Sequence, residues 1–239
     1  MVDPVTGAVV VLALAAGTQV LRGHGLARLD ARWLATVGRV SGVAAPTIAL
    51  GGIAVAIALS PSFSVVQHTL SDLGAGQGPA ATVFNYAMIG TGLAALPFGV
   101  ALLVDGNRYE RLAVVFLAAS MNGLNMVGLF RKGQRLHVVG GVLYFVSFTV
   151  AFVVYGLRTE DPRRGRVTLW LAAVHVGVWT LWGVALLATG LEGPVVYAPG
   201  SLAPQVVGAV VLSGWTVWTA LERLGSLSAS AANAGESGL

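Results

Sequence analysis

The sequence predicts an all-α integral membrane protein, built as a single bundle of seven transmembrane helices with the N-terminus outside and the C-terminus inside. Three observations carry that expectation. Hydrophobic residues make up 56% of the chain and charged residues only 10%, against roughly 25% charged residues in a soluble domain, and the mean hydropathy is +0.79. Uninterrupted apolar runs recur at close to the length of about 20 residues that crosses a hydrocarbon core as helix. The charges lie almost entirely between those runs. Lipid permits only helices or closed barrels as spanning structures, because no water is there to satisfy free backbone groups. Runs this long and evenly apolar do not fit alternating barrel strands.

The runs fall near 4–21, 40–60, 79–104, 112–130, 136–157, 167–189 and 204–221. The first opens Met1-Val2-Asp3-Pro4 with no basic residue and is followed by Arg22, Arg28, Arg32 and Arg39, so it reads as a retained span with an outward N-terminus rather than a cleaved signal. That span then adds to a six-helix core. With this orientation, 11 of the 14 basic residues fall on the inside, in 22–39, 105–111, 158–166 and the C-terminal end. The three on the outside are Arg131, Lys132 and Arg135, in one short loop. In the second run, Gly38-x-x-x-Gly42 and Gly52-x-x-x-Ala56 place small residues on one face for close helix approach. Trp33, Trp170, Trp179, Trp182, Trp215 and Trp218 read as interfacial anchors. Residues 225–239 are small and polar without periodicity and are expected to form a disordered cytoplasmic tail, leaving 1–224 as the transmembrane domain.

Several function classes drop out on composition. No basic run interleaves with aromatics, so nucleic acid is not an expected partner; membrane lipids are. Without cysteine there is no thiolate ligand, disulfide or cysteine nucleophile. A retinal Schiff base needs a lysine in a span, and Lys132, the single lysine, sits in a loop. His175 lies near mid-membrane with no second histidine at its depth, so it reads as a structural residue rather than a haem ligand. No cofactor is implied. The expected location is the cell membrane, as a multi-pass protein.

Polar residues that can bind or react gather on the expected outer side. Gln67-His68-Thr69-Leu70-Ser71-Asp72-Leu73-Gly74 combines a histidine, hydroxyls and a carboxylate between two spans. His68 and Asp72 are four apart, a spacing that a helical turn brings onto one side; Ser71 or Asp72 capping a short interfacial helix ended by Gly74 is the structural alternative. Asn85, Asn122 and Asn125 lie roughly 8 to 12 Å below the outer ends of their spans at about 1.5 Å per residue. Asn122 and Asn125, three apart, should point together into the bundle, because amides in hydrocarbon need partners. The cations at 131–135 either bind an anion or pair with Asp72 and Glu192. His137 opens the fifth span of the core count that includes the first run, and Gln205 opens the last.

At these residues the chain resembles the uncharacterised prokaryotic, largely archaeal, membrane family called domain of unknown function 998. The resemblance lies in Leu70-Ser71-Asp72-Leu73-Gly74 after an apolar span, in Phe84-Asn85 early in the next, in Gly128-Leu129-Phe130 with His137 shortly after, and in a last span opening Ala203-Pro204-Gln205. It covers roughly 40–224. Gln205 stands where the family pattern leads one to expect an acidic residue. The resemblance implies a helical membrane protein and no established reaction.

These readings converge on an outward-facing polar pocket formed by His68, Ser71, Asp72, Asn85, Asn122, Asn125, Arg131, His137 and Gln205. Its expected ligand is a lipid headgroup or a small polar or anionic molecule, bound and in one version transported. The alternative is an intramembrane lipid hydrolase with a metal held by His68, Asp72 and His137. Against it, the last run lacks the paired histidines of the seven-span ceramidase-like enzymes.

Overall fold

The structure, a computed structural model, describes residues 31–188 and 200–236. The run at 4–21 and Glu192 lie outside the described residues, so the seventh span is left to the sequence. Six segments are long and apolar enough to cross a membrane: Trp33–Ala58, Pro79–Val104, Arg108–Leu129, Arg135–Arg158, Pro162–Ala188 and Leu202–Glu222. They are carried by α1 (Ala31–Ala58), α2 (Pro79–Ala94), α3 (Leu96–Asp105), α4 (Arg108–Leu129), α5 (Arg135–Arg158), α6 (Pro162–Ala188) and α7 (Leu202–Glu236). No strand occurs among the described residues.

The helix ends follow from local chemistry. Asn107 caps α4 by accepting from the backbone N–H groups of Tyr109 and Glu110, and the Glu110 carboxylate reaches back to accept from Asn107 N at 3.0 Å. This reciprocal box satisfies donors that a helix start otherwise leaves open. Asp161 does the same for α6, accepting from Arg163 N and Arg164 N at 2.8 and 3.2 Å. Those contacts hold its carboxyl below the usual range, against a small opposing effect of burial. Glycine at 133 sits at φ 96°, a left-handed backbone that lets the chain turn tightly between α4 and α5.

The crossing expected at 79–104 is broken in the middle. Pro97 prevents a regular helix from running through, and α2 passes into α3 at Ala95. Ser41 of α1 inserts its hydroxyl at the break: Oγ accepts from Phe98 N at 3.1 Å and donates to the Ala94 carbonyl. A neighbouring hydroxyl thus bridges the one backbone pair that the kink separates, as apolar surroundings require.

Side by side, the helices close a ring. α1 packs on α2, α3 and α7; α2 packs on α4, α4 on α5, α5 on α6, and α6 on α7. Small residues set the closest approaches. A side chain at Gly42 would meet Ala220 and Phe98, and one at Gly52 would meet Ala87 at 2.2 Å, which accounts for the small-residue pattern in α1. At the α4–α5 crossing, a Cβ on Gly123 would lie 2.5 Å from Tyr144 N, and one on Gly140 would lie 2.8 Å from Gly123 O.

One expectation changes here. Trp215 is no interfacial anchor: it is 1% exposed, its Nε1 donates to Thr168 Oγ1 of α6 at 2.9 Å, and its ring meets Phe98, Phe152 and Tyr155. Trp33 and Trp170 are exposed, as anchors would be. The backbone of α7 continues as helix to Glu236, into the stretch where composition favours disorder. Alanine and serine in 226–236 carry little cost in a helix that is already nucleated.

Candidate functional site

Two connections and the start of α7 lie at one end of the ring: 59–78 between α1 and α2, 130–134 between α4 and α5, and Leu202 onward. The first contains a 3-10 turn, Leu70–Gly74, with Thr69 at its N-cap position. Asp72 folds back to accept from Thr69 N at 2.7 Å and Thr69 Oγ1 at 3.0 Å. The capping role read from the sequence is therefore real for Asp72.

The turn is held from three sides. Lys132 Nζ meets Asp72 Oδ1 at 2.5 Å and also donates to Thr69 Oγ1 at 3.2 Å. The buried Gln205 of α7 accepts from Leu70 N through Oε1 at 3.0 Å. Asn85 of α2 donates to Gly74 O at 3.2 Å, and Gly74 is packed so closely on it that an added Cβ would lie 2.4 Å from Asn85 Oδ1. Burial by itself would raise the Asp72 carboxyl, but the hydrogen bonds from Lys132 and Thr69 and the lysine charge outweigh it and hold the group below its ordinary value. The basic loop at 131–135 is accordingly engaged with this turn through Lys132, one of the two alternatives its sequence offered.

The two histidines near the turn are each committed elsewhere. His68 stacks on Phe63 with ring centroids 5.6 Å apart, and its Nδ1 accepts from Ser64 N at 2.8 Å. His137 is buried, with Nδ1 2.7 Å from the Phe130 carbonyl at the end of α4. Since a carbonyl only accepts, that nitrogen carries the proton. Among the described residues no three His, Cys, Asp or Glu side chains gather closely enough to hold a metal ion. In this arrangement capping, stacking and an ion pair engage the groups of the expected metal set His68, Asp72 and His137.

Inside the ring lies a cavity of about 610 Å³, within the range of roughly 300 to 1,000 Å³ typical of small-molecule sites. Every crossing contributes to its wall, for example Ile53, Met88, Leu124, Phe145, Trp179 and Leu212. Leu70 and Ser71 of the 3-10 turn, His137 and Gln205 line it at the end nearest the turn. The four lining threonines are spent within their own helices: the hydroxyls of Thr91, Thr149, Thr180 and Thr216 each donate to the carbonyl four residues back. The wall is therefore apolar over most of its area.

Of the nine residues expected to bind a ligand, Ser71, His137 and Gln205 line this cavity, while His68, Asp72, Asn85, Asn122, Asn125 and Arg131 do not. Asn122 turns its amide onto the Ala118 carbonyl of its own helix at 3.0 Å. Asn125 packs into α2, where a Cβ on Gly92 would lie 2.0 Å from its Oδ1. Three residues apart is about 300° around a helix, and the remaining angular offset is enough to send one amide toward α2 and leave the other half-exposed. The side chain of Arg131 is exposed.

His175, read from sequence as structural, and Trp179, read as an interfacial anchor, both line the cavity from α6. His175 is 2% exposed and lines the cavity, stacked on Phe145 at 5.7 Å and close to Phe148 at 4.4 Å. Their spacing of four was the available signal: it places an imidazole and an indole on one helix face.

No curated protein and no solved structure matches the chain. One family model does, and it extends from within α1 to the part of α7 that spans, residues 43–222, about three quarters of the sequence. The chain therefore belongs to the family described as "Protein of unknown function (DUF998)".

Proposed function

We propose that this membrane protein binds an amphiphilic lipid in the ring cavity, with the apolar body among the helices and the polar head at the rim made by Ser71, His137 and Gln205. The observation that carries this reading is the cavity's character: about 610 Å³ of mostly apolar space, with Ser71, His137 and Gln205 at the turn end and His175 and Trp179 as enclosed polar rings farther along its wall. A small polar solute finds few partners in such a wall, whereas an acyl or isoprenoid chain loses nothing by leaving the bilayer for it. Lys132 beside the rim, with Arg131 and Arg135 on the same short loop, favours an anionic head. The polar pocket expected from sequence thus becomes the entrance of an apolar one. Passage of the lipid between leaflets is a further step that nothing in the cavity requires.

Gly141 supplies the test. It lines the cavity, and a Cβ added there meets no atom within 4 Å, so Gly141→Phe starts its side chain in open space and is expected to occupy part of the cavity. Native mass spectrometry of the detergent-purified full chain should find stoichiometric bound lipid in the wild type and loss of it in Gly141→Phe. Equal lipid content in both would overturn the reading.

In the same reading the apolar run at 4–21 forms a seventh span in the cell membrane and the turn end faces out. The asymmetry of the basic residues supports this orientation. Single cysteines placed at Ser71 and Arg163 should then label from opposite sides, Ser71 from outside.

A further inference from the structure

Resting on the lipid-binding reading, we infer that the ligand carries a second oxygen, a hydroxyl or carbonyl partway along its apolar body, and that His175 with Trp179 receives it. Buried polar groups in proteins are almost always hydrogen-bonded, so a cluster of exceptions calls for a partner. His175 Nδ1 and Trp179 Nε1 are both enclosed without one, and neither nitrogen of His175 makes a hydrogen bond among the described residues. A neutral imidazole offers one donor and one acceptor, and an indole offers one donor. Both residues line the cavity, and their rings lie 6.3 Å apart on one face of α6.

The imidazole is held in place. Phe145 stacks on it with an interplanar angle of 18°. On the side of α7, Gly208 leaves the room the ring needs: a Cβ there would lie 2.8 Å from His175 Cε1 and 3.0 Å from Nδ1. The ring therefore has little freedom beyond a half-turn about its Cβ–Cγ bond, which exchanges the positions of its nitrogens with those of its ring carbons. Either state can meet a hydroxyl, which donates and accepts; a carbonyl oxygen is met by the imidazole N–H or by Trp179. A plain hydrocarbon chain would leave these groups unmet, which is the physical basis for discrimination.

Position fixes where on the ligand the oxygen sits. Phe145 and Phe148, the α5 neighbours of His175, follow His137 by two to three helical turns, roughly 12 to 16 Å at about 1.5 Å per residue. The head lies at His137 and the second oxygen lies near the middle of the bilayer, far from either headgroup layer. The residues at 175 and 179 are positioned to select among chains, whereas the rim selects heads.

Stearate and mid-chain hydroxystearate, the same head and length with and without the oxygen, serve as probes. Equilibrium binding of each, tritiated, is measured on the detergent-solubilised full chain by scintillation proximity. The hydroxylated probe should bind the wild type about tenfold tighter, the yield of one or two net hydrogen bonds. His175→Phe, which keeps a ring among Phe145 and Phe148, should bring the ratio of the two affinities, hydroxystearate to stearate, from about ten to about one. Trp179→Phe reads the same contact independently if the first variant does not fold. Equal affinity of the wild type for the two probes, with Gly141→Phe abolishing both, overturns this inference and leaves lipid binding standing. Binding of neither probe, or binding that Gly141→Phe does not alter, overturns both. A wild-type preference that persists in His175→Phe and Trp179→Phe places the oxygen elsewhere and also overturns it.

Discussion

The pair Lys132–Asp72 should behave as the latch that holds the 3-10 turn over the cavity rim, and its energy can be worked from the geometry. The contact is 2.5 Å, with 15% of the lysine side chain and 25% of the aspartate side chain exposed. Exposed ion pairs contribute about 0.2 to 1 kcal/mol, and breaking a fully buried pair costs about 3 to 5 kcal/mol. A partly buried, charge-assisted contact lies between, so Lys132→Met should cost about 1.5 kcal/mol. Asp72→Ala removes in addition the acceptor for Thr69 N at 2.7 Å, which brings its cost to about 3 kcal/mol. If the two groups act through each other, the double variant should cost about 3 kcal/mol rather than the 4.5 kcal/mol or so of the sum, a coupling of about 1.5 kcal/mol. Equilibrium unfolding of the solubilised chain in SDS measures all three variants. Costs that add to within about 0.5 kcal/mol would refute the latch, because independent sites add to that tolerance. The coupling should also change little between low and moderate salt, since a half-buried pair is poorly screened.

Three further outcomes follow from the same structure. The Asp72 carboxyl is held below its ordinary 3.8 in the folded chain, so its stabilisation is fully present above that value and is lost as pH falls through the lowered one; the stability gap between wild type and Asp72→Asn should therefore narrow in acid and persist at neutral pH. Gly123→Ala should destabilise by about 2 to 3 kcal/mol in the same SDS titration, because its Cβ would press on the α5 backbone at 2.5 Å, whereas Gly141→Ala, with open space around it, should change stability by less than about 0.5 kcal/mol. Gln205→Leu strands the Leu70 N–H and should cost about 1 to 3 kcal/mol, with faster amide exchange at Leu70, while Gln205→Glu keeps an acceptor and should protect that amide.

Part of the site was legible because it depends on short-range rules. Asp72 three residues after Thr69 is a capping arrangement wherever the chain turns, and it does cap. Lys132, the one lysine of the chain and set in a short basic loop between spans, invited a search for an anionic partner, and Asp72 is that partner. Gln205 at the mouth of the last span was singled out for its position, and it does reach the turn. The asparagines were placed by depth, which does not give direction. Depth can be counted along a span, but rotation about the helix axis is set by which neighbour offers a glycine, and Gly92 draws Asn125 away from the cavity. His175 was set aside for want of a second histidine, when the relevant partners were the aromatic rings of α5 and Trp179 one turn on.

The sequence by itself determined that the chain crosses a membrane as helices, where most of those helices begin and end, and which loops carry charge. Those properties follow from the thickness of the hydrocarbon and the need to satisfy every backbone group within a segment. Tertiary structure alone decided that the crossings close into a ring around an apolar cavity, that Ser41 bridges the break at Pro97, and that Trp215 is core rather than interface. In lipid every face of a helix is equally apolar, so hydrophobicity cannot tell an inward face from an outward one. Packing of small residues and pairing of a few polar groups settle it instead.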